Sequence, residues 1–285
     1  MAKINHFIKP YLKWAGGKRQ LLLEIKKCLP EEIGNYTYYE PFVGAGAVFF
    51  NLQPEKAVIN DFNSQLILTY IAIKENVKEL IKTLSEYKKN NSREFYYKLR
   101  NTDKEPKTFN KLSDIEKAAR LIYLNKTCYN GLYRVNSKGF FNVPYGKHNN
   151  PSIFDENVLY QISEYLNSNK IKIINDDFES AVSTADKNSF IYFDPPYHSP
   201  EKSNFTSYQA NGFNDEEQKR LCDVIKKMTE KKVKCLLSNS NTDYIRKLYK
   251  DECFKIIPVQ AKRTINSKSK DRGNVTEVLI KNWEE

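Results

Sequence analysis

The stretch that decides the fold is FIYFDPPY, residues 190–197. Its first four residues are apolar or aromatic, which predicts a short strand buried on both faces. The strand delivers Asp194 to a loop that Pro195 and Pro196 stiffen, and prolines add no competing N–H donors. Ligands of open α/β sheets bind at the carboxyl ends of strands. We therefore predict Asp194, Pro195, Pro196 and Tyr197 as catalytic residues.

These residue types are suited to transfer of a group to a planar amine. Such an amine is a poor nucleophile, because its lone pair is delocalised into the attached ring or carbonyl. A carboxylate and a backbone carbonyl that accept its two N–H groups favour the pyramidal geometry needed for attack. Asp194 and the proline carbonyls can supply both acceptors, while the Tyr197 ring can stack on a base that has left a duplex. The same chemistry suits adenine N6, cytosine N4 and a protein glutamine, on DNA or RNA.

A glycine loop precedes this motif in the chain. EPFVGAG, residues 40–46, follows a predicted strand at 37–40, and its glycines allow a tight turn and close approach to a ligand. A second predicted strand, 56–60, leads to Asp61, an acid well placed for a ribose hydroxyl. The loop and Asp61 together predict a site for a nucleoside cofactor.

WAGGK, residues 14–18, is a further glycine turn that presents an aromatic ring and a cation. It is not a P-loop, because the glycine spacing differs and Arg19 stands where serine or threonine is required. Trp14 and Lys18 are instead suited to stacking on adenine and to contact with a carboxylate or phosphate.

Strand and helix patterns alternate at both ends of the chain, which predicts one α/β sheet layered with helices. Further strands are predicted at 171–174, 234–238, 254–259 and 275–280, and helices at 63–87 (broken near 75–76), 92–100, 113–124, 155–167, 214–230 and 241–250. Residues 130–150 are rich in Gly, Asn and Pro and predict a turn-and-hairpin surface. The basic, helical middle of the chain is therefore predicted to be an insertion into the sheet domain.

The distribution of charge and the cysteine content indicate which kind of partner and which compartment the protein has. The net charge is +11, and residues 1–23, 117–154 and 253–270 contain five, six and five basic residues and no acid. Clustered cations of this kind favour a polyanionic partner such as nucleic acid. The five cysteines are scattered and never form a C-x-x-C pair, which argues for a reducing cytoplasm and against a zinc site. No apolar run is long enough to span a membrane, and no signal-peptide pattern is present.

These motifs, taken in their order along the chain, resemble the Dam-type DNA adenine methyltransferases of bacteria, phages and restriction systems. The resemblance also includes residues 129–136, 141–146, 204–206 and 237–239. It implies a Rossmann-like, S-adenosylmethionine-dependent methyltransferase sheet formed by residues 1–76 plus 160–285. Residues 77–159 are then an inserted, mainly helical target-recognition domain carrying a β-hairpin. The implied activity is methylation of adenine N6 at GATC in double-stranded DNA, with no metal and no covalent enzyme intermediate.

The resemblance also assigns site residues. Trp14, Lys18, Asp61 and Asp194 are expected to contact S-adenosylmethionine, and Glu40, Phe42, Gly44, Asp177 and Phe178 are further candidates for its pocket. The DNA-binding candidates are Arg134, which is expected to read guanine, together with Leu132, Asn136, Pro144, Lys126 and Lys147. Lys147-His148 departs from the arginine and aromatic residue common in relatives, which leaves the phosphate contacts and flanking preference open.

Two alternatives remain at this point, namely a different amine substrate and a catalytically inactive DNA-binding protein that keeps the fold. The intact glycine loop, Asp61 and Asp194 favour an enzyme. The three histidines are too dispersed for a metal site, and a catalytic role for His198 is disfavoured because a methylated amine loses its proton readily. A cytosine ring-carbon methylase would require a Pro-Cys motif, which the chain lacks. The resemblance to enzymes of restriction systems also suggests a restriction endonuclease that acts separately as partner, and the sequence leaves monomer and weak dimer open.

Overall fold

The structure is a computed structural model that describes residues 8–14, 16–146, 150–199, 213–262 and 274–284. Its strands are β1 Thr37–Glu40, β2 Lys56–Asn60, β3 Lys170–Ile174, β4 Ser189–Phe193, β5 Lys234–Ser240, β6 Lys255–Lys262 and β7 Asn274–Lys281. They form one sheet of order β3-β2-β1-β4-β5-β7-β6. The first five strands in that order are parallel, and β7 lies antiparallel between β5 and β6. Each strand predicted from the sequence overlaps one of these strands.

Ten α-helices occur in the described residues. They are α1 Leu22–Lys27, α2 Phe49–Leu52, α3 Ser64–Lys89, α4 Arg93–Asn101, α5 Pro106–Phe109, α6 Asp114–Thr127, α7 Glu156–Ser168, α8 Phe178–Ala181, α9 Asp215–Glu230 and α10 Asp243–Leu248. The predicted break near residue 76 is a kink inside α3, where Asn76 leaves helical geometry at φ −139° and ψ 42°. The first turns of α3, α4 and α6 are capped by Asn63, Ser92 and Ser113, whose side chains accept backbone N–H bonds.

The sheet is covered on both faces, as buried parallel strands require. One hydrophobic core joins the sheet to α1, α2, α3, α6 and α7, and a second core joins the opposite face to α8, α9 and α10. All five residues of β4 are buried, in agreement with the prediction from FIYF. The carboxyl ends of β1, β2 and β4 therefore lie at one edge of a rigid three-layer structure.

The segment between α6 and α7 has little regular structure. Two isolated antiparallel bridges, Cys128 with Tyr145 and Val135 with Phe141, bring its two sides together. Asn136 N–H donates to the Phe140 carbonyl, which closes the turn. The predicted hairpin is therefore present as a short, weakly paired loop, called here the recognition hairpin (residues 128–146).

Candidate active site

Asp194 follows β4 directly, and two neighbouring side chains hold its carboxylate. Lys18 Nζ lies 2.7 Å from Asp194 Oδ1, and the Ser238 hydroxyl on β5 donates to the same oxygen at 3.0 Å. Ser238 in turn shares a 2.8 Å hydrogen bond with the Tyr192 hydroxyl. The Asp194 side chain is 18 % exposed, so it is shielded and still reachable by a ligand.

The ionisation of the Asp194 carboxyl depends on its burial and on Lys18. Burial raises the pKa of Asp194, while the ammonium group of Lys18 and the Ser238 hydroxyl act in the opposite direction. Lys18 is itself buried and donates to the Gly16 carbonyl at 2.6 Å. The lysine thus sits between the WAGGK turn and the carboxylate, where it favours the ionised form of Asp194.

Tyr197 and the prolines are fixed by residues distant in sequence. The Tyr197 hydroxyl donates to Glu277 Oε2 on β7 at 3.0 Å, and Lys18 Nζ lies 4.6 Å from the centroid of the Tyr197 ring. The Pro196 carbonyl accepts a hydrogen bond from Gln218 Nε2 at 2.9 Å. The loop is therefore held from α9 and β7, and both the Asp194 carboxylate and the Tyr197 ring lie close to Lys18 Nζ.

The glycine loop lies beside this group at the end of β1. Gly44 has φ +51°, and a Cβ atom there would come within 2.9 Å of the Trp14 indole, so only glycine fits. Gly44 N–H donates to Asp61 Oδ2 at 3.1 Å, and Asn63 N–H donates to Asp61 Oδ1 at 2.9 Å. Burial raises the pKa of Asp61 to about 6, against the effect of these two bonds. The structure thus brings Trp14, Gly44 and Asp61 together.

Asn60 ties the loops after β1 and β3 to the end of β2. Its amide nitrogen donates to the carbonyls of Pro41 and Asp176, both at 3.0 Å, and its amide oxygen accepts from Asp176 N–H at 2.8 Å. Asn60 is 1 % exposed. A buried and fully used amide of this kind fixes the relative positions of the loops that contain the candidate cofactor residues.

An aromatic cluster borders these loops. The Phe42 ring lies 5.3 Å from Phe178 and 5.7 Å from Phe213, measured between ring centroids. The guanidinium of Arg220 lies 4.2 Å from the centroid of the Phe178 ring and also pairs with the carboxylate of Asp177. The structure therefore brings Phe42, Asp177 and Phe178 together, with Phe213 and Arg220 as added neighbours.

Glu40 occupies a different position from the other cofactor candidates. It is 2 % exposed, and its Oε2 accepts a hydrogen bond from the Tyr38 hydroxyl at 2.6 Å. Burial raises the pKa of Glu40 well above its usual range, while Tyr38 acts in the opposite direction. Glu40 thus lies beneath the glycine loop, within electrostatic range of Lys18 and Asp194.

The recognition hairpin contains four of the DNA-binding candidates, Leu132, Arg134, Asn136 and Pro144. Arg134 Nε donates to Asn142 Oδ1 across the hairpin at 2.8 Å, and Asn136 Oδ1 accepts the backbone N–H groups of Lys138 and Phe140. The Pro144 carbonyl accepts Tyr129 N–H at 2.9 Å, and Leu132 is half-buried. Asn136 therefore shapes the turn, and Arg134 is held by one neighbour on a partly exposed surface.

One cation of the basic segment 117–154 cannot bind a polyanion. Arg120 is fully buried, pairs with Asp103 at 2.9 Å and donates to the carbonyls of Leu99 and Arg100. It is therefore a structural residue beneath the recognition hairpin, and counting it toward a basic surface was wrong. Lys126 is half-buried. Lys147, His148 and residues 204–206 lie outside the described residues.

His198 is engaged away from the carboxylate. Its Nδ1 lies 3.0 Å from Thr242 Oγ1, its ring stacks on Tyr244 at 4.7 Å, and its Nε2 lies 3.4 Å from Asp215. His198 thus contacts Thr242, Tyr244 and Asp215, all on the α9 and α10 side of the loop. Among the residues that the structure describes, no group of three or more His, Cys, Asp or Glu is arranged to hold a metal ion. No helix in the described ranges is long and apolar enough to cross a membrane.

Sequence reasoning missed several residues that support the site. Glu277 and Gln218 hold the Asp-Pro-Pro-Tyr loop, Arg220 pairs with Asp177, and Tyr133 stacks on Trp14 at 5.1 Å. All of these contacts join residues far apart in the chain, so no local pattern marks them. Ser238 and Tyr133 were noted only as part of the resemblance, without their contacts to Asp194 and Trp14.

The strand order, with antiparallel β7 inserted beside β5, and the acidic loop at the end of β4 define an S-adenosylmethionine-dependent methyltransferase fold. Residues 14–265 match the family described as D12 class N6 adenine-specific DNA methyltransferase, and the chain belongs to this family. It is therefore an adenine-specific DNA methyltransferase, whose family implies S-adenosylmethionine as methyl donor.

Three relatives illustrate the similarity. The chain is 48 % identical over 282 residues to the type II methyltransferase M1.LlaDCHI of Lactococcus lactis subsp. cremoris. This match covers 99 % of this chain and 97 % of the relative. It is 46 % identical to the type II methyltransferase M.MjaIII of Methanocaldococcus jannaschii, over 97 % of this chain and 99 % of the relative. The DNA adenine methylase of Escherichia coli K12 is 35 % identical, over 95 % of this chain and 94 % of the relative.

Proposed function

We propose that this enzyme methylates the N6 amine of an adenine that has left duplex DNA, and that its recognition sequence is GATC. The observation that carries the proposal is the shielded but reachable Asp194 carboxylate beside the Tyr197 ring, at the carboxyl end of β4. An enzyme that acts on a base must extrude the base from the stack. It then needs a hydrogen-bond acceptor for the edge of the base and an aromatic ring that stacks on its face. GATC is the sequence that the Dam-type resemblance implies.

Asp194 and a backbone carbonyl act on the target amine. The Asp194 carboxylate accepts one N–H of the amine, and the Pro195 carbonyl accepts the other, because the Pro196 carbonyl already accepts Gln218. These acceptors favour the pyramidal amine, whose lone pair is localised on the nitrogen and can attack the methyl group. Tyr197 holds the base by stacking on its ring. The amine then gives its surplus proton to solvent, so no residue has to act as a dedicated base.

S-adenosylmethionine supplies a methyl group on a positively charged sulfur when it is bound. The residues present fit this cofactor, because Gly44 leaves room beside Trp14 that a Cβ atom would fill, with the Asp61 carboxylate at the same loop. Trp14, Lys18, Asp61 and Asp194 would hold it. Phe42, Gly44, Asp177 and Phe178 would complete the pocket, and Glu40 would support the loop from below.

The chain is proposed to divide into a catalytic domain, residues 1–76 plus 160–285, and a target-recognition domain, residues 77–159. The kink at Asn76 in α3 supports the first boundary. Within the recognition hairpin, Arg134 would read guanine by a bidentate contact, with Leu132, Asn136 and Pro144 shaping the surface. Lys126 and Lys147 are proposed phosphate contacts.

The biological role that we propose for this activity is restriction–modification. Two of the relatives bear the name type II methyltransferase. We propose that this chain likewise protects DNA in a bacterial or phage-infected cell against a restriction endonuclease that acts separately.

The test is to incubate the protein with duplex DNA free of adenine methylation and S-adenosylmethionine, and to map modified bases by single-molecule sequencing. The expected result is N6-methyladenine confined to GATC. N6-methyladenine in another sequence would overturn the specificity assigned to the hairpin and leave the chemistry standing. An absence of modified adenine would contradict the proposed activity on duplex DNA.

A further inference from the structure

Tyr133 connects the recognition hairpin to the cofactor side of the molecule. It directly precedes Arg134, and its ring stacks on Trp14 with centroids 5.1 Å apart and planes 27° from parallel. The opposite side of the hairpin contributes Phe141, whose ring lies 5.7 Å from that of Tyr133. Tyr133 is 9 % exposed, so its ring is enclosed between the hairpin and Trp14.

Trp14 in turn packs directly on the glycine loop. The position of a Cβ atom on Gly44 lies 2.9 Å from Trp14 Cδ1 and 3.2 Å from Nε1. Gly44 N–H donates to Asp61. A displacement of the Trp14 ring would therefore be transmitted to the loop and to the carboxylate that follows β2.

A second contact fixes the chain just before Trp14. Asn125, a buried residue of α6, accepts Lys13 N–H at 2.9 Å and donates to the Lys13 carbonyl at 2.7 Å. The same amide donates to the Gly131 carbonyl at 3.1 Å, within the recognition hairpin. Gly131 has φ +64° and packs against the Lys13 side chain, where a Cβ atom would overlap it. The hairpin and the segment around Trp14 therefore share one anchor.

The phenol of Tyr133 is enclosed, and burial raises its pKa to about 12. Tyr133 thus contacts both Trp14 and Phe141, and it directly precedes Arg134 in the chain.

We infer that Tyr133 is a positioning residue that couples engagement of the target sequence by the recognition hairpin to affinity for the cofactor. The inference rests on the proposed roles of Arg134, Trp14 and Asp61. When Arg134 contacts its base pair, the position of the adjacent Tyr133 becomes fixed. The stacked Tyr133 ring then fixes the Trp14 ring against the glycine loop. Coupling between two binding sites is reciprocal, so cofactor binding must strengthen target binding by the same factor.

The experiment measures the affinity for S-adenosylhomocysteine, which cannot donate a methyl group, by titration calorimetry. Titrations are made without DNA, with a duplex containing GATC and with a duplex of scrambled site. The proteins are the wild type, Tyr133→Leu and the control Tyr160→Leu, which alters a partly exposed tyrosine of α7. We expect the GATC duplex to tighten wild-type binding about tenfold relative to the scrambled duplex, within the usual range for coupled sites. Tyr133→Leu should reduce this ratio below about threefold, and Tyr160→Leu should leave it unchanged.

A second measurement avoids substitution of the buried ring. The chain has two tryptophans, Trp14 and Trp283, so Trp283→Phe leaves Trp14 as the only indole reporter. We expect the GATC duplex, without cofactor, to change Trp14 emission more than the scrambled duplex does. Equal emission with both duplexes would overturn the inference even if Tyr133→Leu fails to fold.

The outcomes separate this inference from the proposed function. A wild-type protein that binds S-adenosylhomocysteine and prefers GATC, but whose two affinities are independent, overturns the coupling and leaves the function intact. Equal coupling in the wild type and Tyr133→Leu also overturns the role of Tyr133. A wild type that binds neither the cofactor product nor GATC with preference contradicts the proposed function itself, and the inference falls with it.

Discussion

Two regions of this molecule contain a shielded carboxylate paired with a cation, and they differ in what surrounds the pair. At the sheet edge, Lys18 holds Asp194, whose side chain is 18 % exposed. Beneath the recognition hairpin, Arg120 holds Asp103, with exposures of 0 % and 5 %. Arg120 also donates to two backbone carbonyls, and Asp103 accepts Phe141 N–H, so that pair is used entirely for structure.

The comparison shows how access separates a functional pair from a structural one. Asp103 anchors the hairpin through a backbone bond, and its side chain is almost entirely shielded from solvent. Asp194 keeps one reachable side beside an aromatic ring, and its cation comes from a glycine turn that also borders the candidate cofactor residues. The same two charges therefore form a reachable site, proposed here to be catalytic, at one place, and they fix the position of the hairpin at the other.

The largest effect should follow from removal of the reachable carboxylate. Asp194→Ala deletes an acceptor for the target amine, so we expect kcat to fall on the order of 10³-fold, the effect typical of losing a group that acts in the transition state. Single-turnover methylation of a GATC duplex measures it. Thermal melting of the same preparation should show a folded protein, and a kcat within tenfold of wild type would contradict the role of Asp194.

The matched change in the structural pair should affect folding instead. Asp103→Asn leaves Arg120 as a buried, uncompensated charge, which costs about 3–5 kcal/mol in free energy of unfolding. Urea denaturation gives this value. The methylation rate of the folded fraction should stay near that of the wild type, and an unchanged unfolding free energy would show that Arg120 is satisfied by the carbonyls alone.

A smaller effect is expected in the hairpin itself. Arg134→Ala removes the proposed bidentate contact to guanine, which should cost about 1–3 kcal/mol of discrimination between GATC and a sequence with that guanine replaced. Competition between the two duplexes in kcat/KM measures the loss. Lys138→Ala, in the exposed turn of the same hairpin, serves as control, and equal discrimination by wild type and Arg134→Ala would refute the assignment.

The smallest effect concerns pH. Asp194 must be ionised to accept the amine, so activity is lost as pH falls through its pKa, and Lys18 lowers that pKa against the effect of burial. Lys18→Met should therefore move the acid limb of the kcat profile to higher pH, measured at saturating S-adenosylmethionine. Lys18→Arg should restore the wild-type position, and an unmoved limb in Lys18→Met would contradict the electrostatic role.

Much of the sheet and the site could be predicted because local sequence determines them. The buried strand before Asp194 appears as an uninterrupted apolar run, and Gly44 marks a turn that other residues cannot adopt beside Trp14. The order of these segments in the chain then places their carboxyl ends at one edge. Asp61 followed from the same reasoning.

The remaining features depend on contacts between distant residues. Arg120 resembles any lysine or arginine of a basic segment in the sequence, and only the packing of α6 under the hairpin shows that it is buried. The stack of Tyr133 on Trp14 joins positions more than one hundred residues apart, and nothing in either local pattern indicates it. Side-chain pairing across elements is thus the part of the site that required three-dimensional structure.

The most direct test of the central claim, that the Asp194–Tyr197 site receives an extruded adenine, uses 2-aminopurine as a fluorescent base. It replaces the adenine of GATC in one duplex and a neighbouring base outside the site in another, and fluorescence is recorded on binding in the presence of S-adenosylhomocysteine. We predict a rise only at the target position, because the base there leaves the stack. The rise should be larger with Tyr197→Leu, which lacks the ring that restacks on the base. An unchanged signal at the target position with both proteins, under conditions where the duplex is bound, would contradict the account.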